Sequence, residues 1–250
     1  MQSNYDVKTQ LRSKPALHMF HVQLPTDFTD SINKYIDDTL IPLDDNYGKV
    51  KGNAELQHSY SKGLVGQIRQ DKRSAQLDCK VLEETDDARL LKSTLDATSN
   101  EYLRQIGHGD SNADTFEAWT VHSYAGDYNP LHDHDVSYAQ KSMSFSIILY
   151  CKVPPQIANI NQDIGLHSNG CSTDGCTQFV WGTNTAADFL TLRPREDTWI
   201  VPKEGKFIIF PCWLKHQVSP FYGEGERRTL SANFRVPFTT TTRSTSHDPV

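Results

Sequence analysis

The stretch Arg227 to Val236 reads Arg-Arg-Thr-Leu-Ser-Ala-Asn-Phe-Arg-Val, and no other part of the chain limits the fold as much. In a strand, successive side chains alternate between two faces. Arg227, Thr229, Ser231 and Asn233 then share one face, and Arg228, Leu230, Ala232 and Phe234 share the other. A wholly polar face is unusual on a strand that closes a core. It makes sense if that face lines a cavity holding a polar ligand. If instead it meets solvent, Arg228 becomes the anomaly on the inward face. Similar short segments surround it. Phe116 to Tyr124 alternates, Ser144 to Val153 is rich in β-branched and aromatic residues, and Trp199 to Val201 and Lys206 to Phe210 follow. Glycines, prolines and an Asn-Pro pair separate them. Short strands punctuated by turns predict a β-sandwich or small barrel.

The first 114 residues read differently. Ala16 to Leu24 alternates as a strand, but Phe28, Ile32, Tyr35 and Ile36 fall at helical spacing. The pattern predicts an amphipathic helix over about 27–39, capped at Thr26 or Asp27. A second helix is expected over about 85–106, with Leu90, Leu91, Leu95, Tyr102, Leu103 and Ile106 on its beat and Gly107 ending it. The expected architecture is α+β, with an α-rich part (1–114) supporting a β core (115–238). The polar stretch 156–190 is expected to be a long insertion between strands, and 239–250 a disordered tail.

Composition excludes some functions. The chain has 250 residues, 37% of them hydrophobic, and a formal net charge of -6. No apolar run is long enough for a membrane span, and an acidic chain is a poor match to a duplex-binding footprint. The first residues lack the apolar core of a signal peptide. Five cysteines, an odd number, suggest a reducing compartment, hence the cytoplasm of a cell or of an infected bacterial host. Cys171 and Cys176 lie close together with His167 upstream. Without a second close pair they read as free thiols in a polar loop rather than as a zinc site. Composition does not report the oligomeric state.

Two histidine-bearing segments carry the chemistry. In Asn129-Pro130-Leu131-His132-Asp133-His134-Asp135, strand parity puts both imidazoles on one side and both carboxylates on the other. Two imidazoles on one face are half of a site for a first-row metal; a solvated polar turn would read the same way. His216 follows the apolar strand Lys206 to Pro211 and the pair Trp213-Leu214, which would present it from a rigid wall. Arg227 lies eleven residues further on (227 − 216), and its guanidinium offers a bidentate fork to a carboxylate, with the Thr229 hydroxyl two residues away.

Together these blocks resemble the 2-oxoglutarate/Fe(II)-dependent dioxygenase superfamily, on its double-stranded β-helix (jelly-roll, cupin-like) fold. More narrowly they are similar to the prolyl-hydroxylase-like oxygenases of marine bacteria and their phages. The similar pieces are Tyr124 to His134, Ser144 to Tyr150, Gly205 to His216 and Glu226 to Phe234, within about residues 115–236. The resemblance implies that His132 and His216 ligate Fe(II). It implies that Arg227, with Thr229, binds the distal carboxylate of 2-oxoglutarate, that Tyr124 can hydrogen-bond the same group, and that Asn233 belongs with these cosubstrate residues. One departure stands out. The third ligand of the family is a carboxylate two residues after the first histidine, and that position here is His134. A three-histidine site is the expectation, with Asp133 or Asp135 as the alternative.

The implied function is hydroxylation of a protein side chain such as proline, or of a small molecule such as an amino acid or nucleobase. Fe(II) is the implied cofactor, and 2-oxoglutarate and O2 are consumed as cosubstrates, with succinate and CO2 as co-products. Two other readings compete. A cupin-like three-histidine metalloenzyme would not use 2-oxoglutarate and would not require Arg227. A non-catalytic barrel used as a binding module would take up no metal. Around the expected entrance, Lys51, Lys62, Arg69, Lys72 and Arg73 form a basic cluster that reads as a solvated face or a contact for an acidic partner. Phe179 and Trp181 would either stack on a substrate or plug the 156–190 segment onto the barrel.

Overall fold

The computed structural model describes residues 8–14, 17–43, 76–79, 85–134, 142–158, 173–182 and 196–237. Two antiparallel sheets face each other. The larger has seven strands: β1 (Lys8–Lys14), β2 (Leu17–Gln23), β3 (Gln76–Asp78), β4 (Asp114–Ser123), β6 (Ser142–Lys152), β9 (Lys206–Pro211) and β11 (Arg227–Pro237), in the order β1-β2-β9-β6-β11-β4-β3. The smaller has four: β5 (Asn129–His132), β7 (Thr177–Val180), β8 (Asp197–Ile200) and β10 (Lys215–Val218), in the order β5-β10-β7-β8. This is the double-stranded β-helix, with helices α1 (Thr26–Tyr35) and α2 (Asp86–Gln105) packed on the outer face of the larger sheet.

Strand parity divides the buried residues into two cores. Facing the helices, Phe145, Ile147 and Leu149 of β6, Phe207 and Ile209 of β9, and Leu230, Ala232 and Phe234 of β11 meet Phe28 and Ile32 of α1 and Leu91, Leu95 and Tyr102 of α2. Between the sheets, Ile148, Tyr150, Ile208 and Phe210 pack with Phe179, Ile200, Leu214 and Phe221. The larger sheet is therefore buried on both faces, as expected for a layer between helices and a second sheet. At full burial each such side chain contributes about 1.5–3 kcal/mol.

The helices follow the sequence with local differences. Helix α1 begins after Pro25, which has extended backbone and gives no side-chain cap, and its last turn widens into a π-helix over Ile36–Leu40. Helix α2 is capped by Thr85, whose hydroxyl accepts from the Ala88 N–H at 3.0 Å. The strand expected over 16–24 is β2, which pairs with β9, and β3 pairs with β4, so the N-terminal part adds strands to the larger sheet. Within 156–190, Thr177–Val180 is a strand of the smaller sheet, paired with both β10 and β8. Thr177 and Phe179 are fully buried and their neighbours half-buried, so alternation was present but too short to register against polar flanks. Cys171, His167, Asp135, the basic cluster and the 239–250 tail lie outside the described residues. Cys79, Cys151, Cys176 and Cys212 are buried and form no disulfide among the described residues. Burial pushes the Cys151 thiol up to about 12, which keeps it unreactive. No helix among the described residues is long and apolar enough to cross a membrane.

Candidate active site

The polar face of β11 looks into a cavity of about 280 Å³ between the two sheets. Arg227, Thr229, Ser231 and Asn233 line it from β11, and Glu117, Trp119 and Val121 line it from the neighbouring β4. Gln76 and Ile148 extend these walls, and Asn129, His132, Asp133, His134, His216 and Val218 enter from the smaller sheet.

The three expected histidines meet there. Strand β5 pairs with β10 so that His132 lies opposite His216, and their ring centroids are 4.3 Å apart. His134 follows just past the end of β5, where its backbone N–H donates to the Cys212 carbonyl at 3.0 Å. Its ring lies 5.0 Å from that of His216 and 5.8 Å from that of His132. One ring nitrogen from each lies within 4.8 Å of the others. Asp133 is exposed on the opposite parity and is not part of this cluster.

The nitrogens that face away are all occupied. His132 Nδ1 lies 2.7 Å from the Pro130 carbonyl and His216 Nδ1 lies 3.1 Å from the Leu214 carbonyl. His134 Nδ1 lies 2.8 Å from both Asn233 Oδ1 and Ser146 Oγ. A carbonyl only accepts, so each Nδ1 carries the proton and each Nε2 presents its lone pair. Three neutral imidazoles with converging lone pairs fit a divalent first-row cation. Burial, reinforced by the neighbouring rings, drives the His216 pKa well below its ordinary value, and burial lowers that of His134. Both are therefore ready ligands at neutral pH. Phe179 and Phe210 wall His216 in at centroid distances of 5.7 and 5.0 Å. Phe179 is thus part of the core, with half-buried Trp181 packed against the same inter-sheet cluster.

Arg227 is buried at the other end of the polar face. Its Nε donates to the Gly175 carbonyl at 3.0 Å, its Nη2 to Thr177 Oγ1 at 3.2 Å, and its guanidinium lies 5.1 Å from the centre of the Tyr150 ring. Tyr150 in turn hydrogen-bonds Thr177 at 2.7 Å. No carboxylate among the described residues pairs with Arg227, and burial lowers its pKa. Arg228, one residue on, projects to the opposite face and is fully paired. It contacts Glu226 at 2.9 Å and Asp37 at 2.7 Å, and Glu226 also meets His122 at 2.6 Å. Burial alone would raise the Glu226 carboxyl, but hydrogen bonds with His122 and Arg228 outweigh it and hold the pKa at about 2.

The other two expected cosubstrate residues, Tyr124 and Asn233, have different surroundings. On β4 the odd-numbered residues face the cavity; Tyr124 has the wrong parity and lies past the strand end, where its N–H donates to Asp127 Oδ2 at 2.7 Å. Asn233 reaches the cavity but its carboxamide lies beneath His134. Sequence reasoning missed Tyr150 and Thr177 beside Arg227, and Ser146 and Glu117 beyond Asn233. Ser146 and Tyr150 could have been found by parity, since both are polar-capable residues on the inward face of an otherwise apolar strand.

A family model described as "Putative 2OG-Fe(II) oxygenase" matches residues 117–233, the span that carries the three histidines, Arg227 and Asn233. No curated protein matches the chain. Among solved structures, AviO1 from Streptomyces viridochromogenes Tue57 is similar at 12% identity, over 87% of this chain and 89% of that one, with a TM-score of 0.50. SnoK, a non-heme alpha-ketoglutarate-dependent carbocyclase of nogalamycin biosynthesis, is similar at 9% identity over 87% and 79%, with a TM-score of 0.52. HygX from Streptomyces hygroscopicus, with nickel and 2-oxoglutarate bound, is similar at 9% identity over 88% and 82%, with a TM-score of 0.50. At these identities the structural likeness speaks for the fold alone, and the family match speaks for the chemistry. Residues 117–233, which hold the three histidines and Arg227, are thus similar to the 2OG-Fe(II) oxygenase family.

Proposed function

We propose that His132, His134 and His216 together hold the Fe(II), that Arg227 and Thr229 bind the distal carboxylate of 2-oxoglutarate, and that the enzyme hydroxylates a protein side chain such as proline or a small molecule. The observation that carries this reading is Arg227. A guanidinium at 2% exposure, with no carboxylate beside it among the described residues, is costly unless an anionic ligand completes it. It stands on the same strand face that runs toward His134, with Thr229 and Ser231 between. A dianionic keto acid anchored at Arg227 would extend along this polar strip toward the histidines.

The chain's own groups then have distinct tasks. The imidazoles present three neutral donors and orient them through their Nδ1–H bonds. Arg227 neutralises and positions the cosubstrate. Trp119, Val121 and Ile148 form apolar wall that limits water. Fe(II) held by these imidazoles would supply O2 activation coupled to decarboxylation of 2-oxoglutarate to succinate and CO2, for hydroxylation of an unactivated C–H bond. Gln76 and Asp133 also line the cavity and are available to a substrate. A cupin-like enzyme that does not use 2-oxoglutarate would leave Arg227 unexplained.

The test is direct. Purified protein is incubated with Fe(II), ascorbate and 2-oxoglutarate, with and without candidate peptides, amino acids and nucleobases, and succinate is measured. Succinate formation that disappears in His216→Ala and Arg227→Ala supports the reading. No succinate from protein shown to hold iron overturns it.

A further inference from the structure

We propose that Glu117 is a positioning residue for the metal centre, setting the tautomer and donor strength of His134 through the carboxamide of Asn233; this rests on the three-histidine reading above. The three groups come from adjacent strands. Asn233 on β11 lies opposite Glu117 on β4 and opposite Ser146 on β6, so their side chains are cross-strand neighbours on the cavity face. Asn233 Nδ2 donates to Glu117 Oε1 at 2.6 Å. Asn233 Oδ1 accepts from Ser146 Oγ at 2.7 Å and from His134 Nδ1 at 2.8 Å.

The direction of this chain is forced by chemistry. An ionised carboxylate only accepts, so the amide nitrogen of Asn233 must face Glu117 and its oxygen must face His134. The oxygen in turn requires a proton on His134 Nδ1, which leaves the Nε2 lone pair for the metal. His132 and His216 reach the same state through backbone carbonyls, which cannot reverse. His134 depends on an amide that can turn over, and Glu117 is what stops it. The relay also explains how the site works without a carboxylate ligand. A negative charge stands two hydrogen bonds behind His134 and makes that imidazole a stronger donor than its neutral form alone.

Glu117→Gln tests this in the full chain, because a glutamine can offer either an oxygen or an NH2 to Asn233. Two readouts are taken: visible-band titration with Co(II), and long-range ring 15N–1H correlation of the metal-free protein at about pH 8. Expected are roughly a 10-fold or greater loss of Co(II) affinity and a shift of His134 from the Nδ1–H tautomer to a mixture, with the unfolding midpoint little changed. Asn233→Ala, read in the same two ways, is expected to give the same pair of changes and serves if Glu117→Gln does not fold. A single Nδ1–H tautomer with Co(II) affinity within about twofold of wild type would overturn the relay. Wild-type protein that binds no Co(II), or His134→Ala that binds it as tightly as wild type, overturns the three-histidine centre itself and the relay with it.

Discussion

Adjacent arginines on opposite faces of β11 should respond to the same substitution in opposite ways. Arg228→Met removes a side chain at 2% exposure and leaves Glu226, whose side chain is 10% exposed, with a buried charge and only His122 and the more distant Lys152 at 3.5 Å. Breaking a buried pair on one side costs about 3–5 kcal/mol. Asp37, half-exposed, can return to water, which places the loss near the lower end, about 3 kcal/mol. For a chain of this size that lowers the melting temperature by roughly 6–12 °C. Arg227→Met instead removes a buried cation with no carboxylate partner among the described residues. It loses two hydrogen bonds of about 1 kcal/mol each, to Gly175 and Thr177, but regains the desolvation of the charge. Its stability should stay within about 1 kcal/mol of wild type. Its affinity for 2-oxoglutarate, however, should fall about 100-fold or more, because two charge-assisted bonds of about 1.5 kcal/mol each disappear. Urea denaturation of the two variants and anaerobic calorimetric titration of 2-oxoglutarate into the Fe(II)-loaded proteins measure both quantities. If Arg227→Met is as unstable as Arg228→Met yet binds 2-oxoglutarate normally, the cavity-facing assignment is wrong.

Three further outcomes follow from particular contacts. Glu226 has a folded pKa of about 2, below its ordinary value, so its contribution is present above about pH 4.5 and is lost as pH falls toward 2; urea midpoints over that range should show a loss of about 3 kcal/mol that Glu226→Gln does not share. Gly205 has φ +76°, and a Cβ there would sit 2.5 Å from the Leu24 carbonyl oxygen. Gly205→Ala should therefore cost at least about 1–2 kcal/mol in thermal unfolding. Phe179→Ala removes a fully buried ring 4.8 Å from Phe210 and should cost about 3–5 kcal/mol. It should also weaken Co(II) binding by freeing the His216 ring, and unchanged affinity in that variant would show that His216 is held by its backbone contact alone.

The strands that build the core were legible because alternation is a local property. Arg227 to Phe234, Ser144 to Val153 and Lys206 to Phe210 each announce two faces, and each became a strand with those faces. The histidine pair and Arg227 were legible for the same reason, since parity alone puts His132 with His134 and separates Arg227 from Arg228. Four-residue strands such as Thr177–Val180 were not, because they hold too few residues to show a period and owe their state to partners on both sides.

The sequence by itself determined which residues share a strand face, and with it the polar strip, the histidine parity and the helical N-terminal segments. Only the tertiary structure decided what each face meets. It put one face of β11 against helices and the other into a cavity, so that Arg228 finds Glu226 and Asp37 while Arg227 stays without a carboxylate among the described residues. It also set the Asn233 carboxamide against His134 and brought Glu117 and Ser146 beside it. The reason is the range of the interactions. Side-chain direction repeats every two residues along a strand, whereas the hydrogen-bond partner of a buried group is chosen by which strand lies alongside. That choice is made by register between segments about a hundred residues apart.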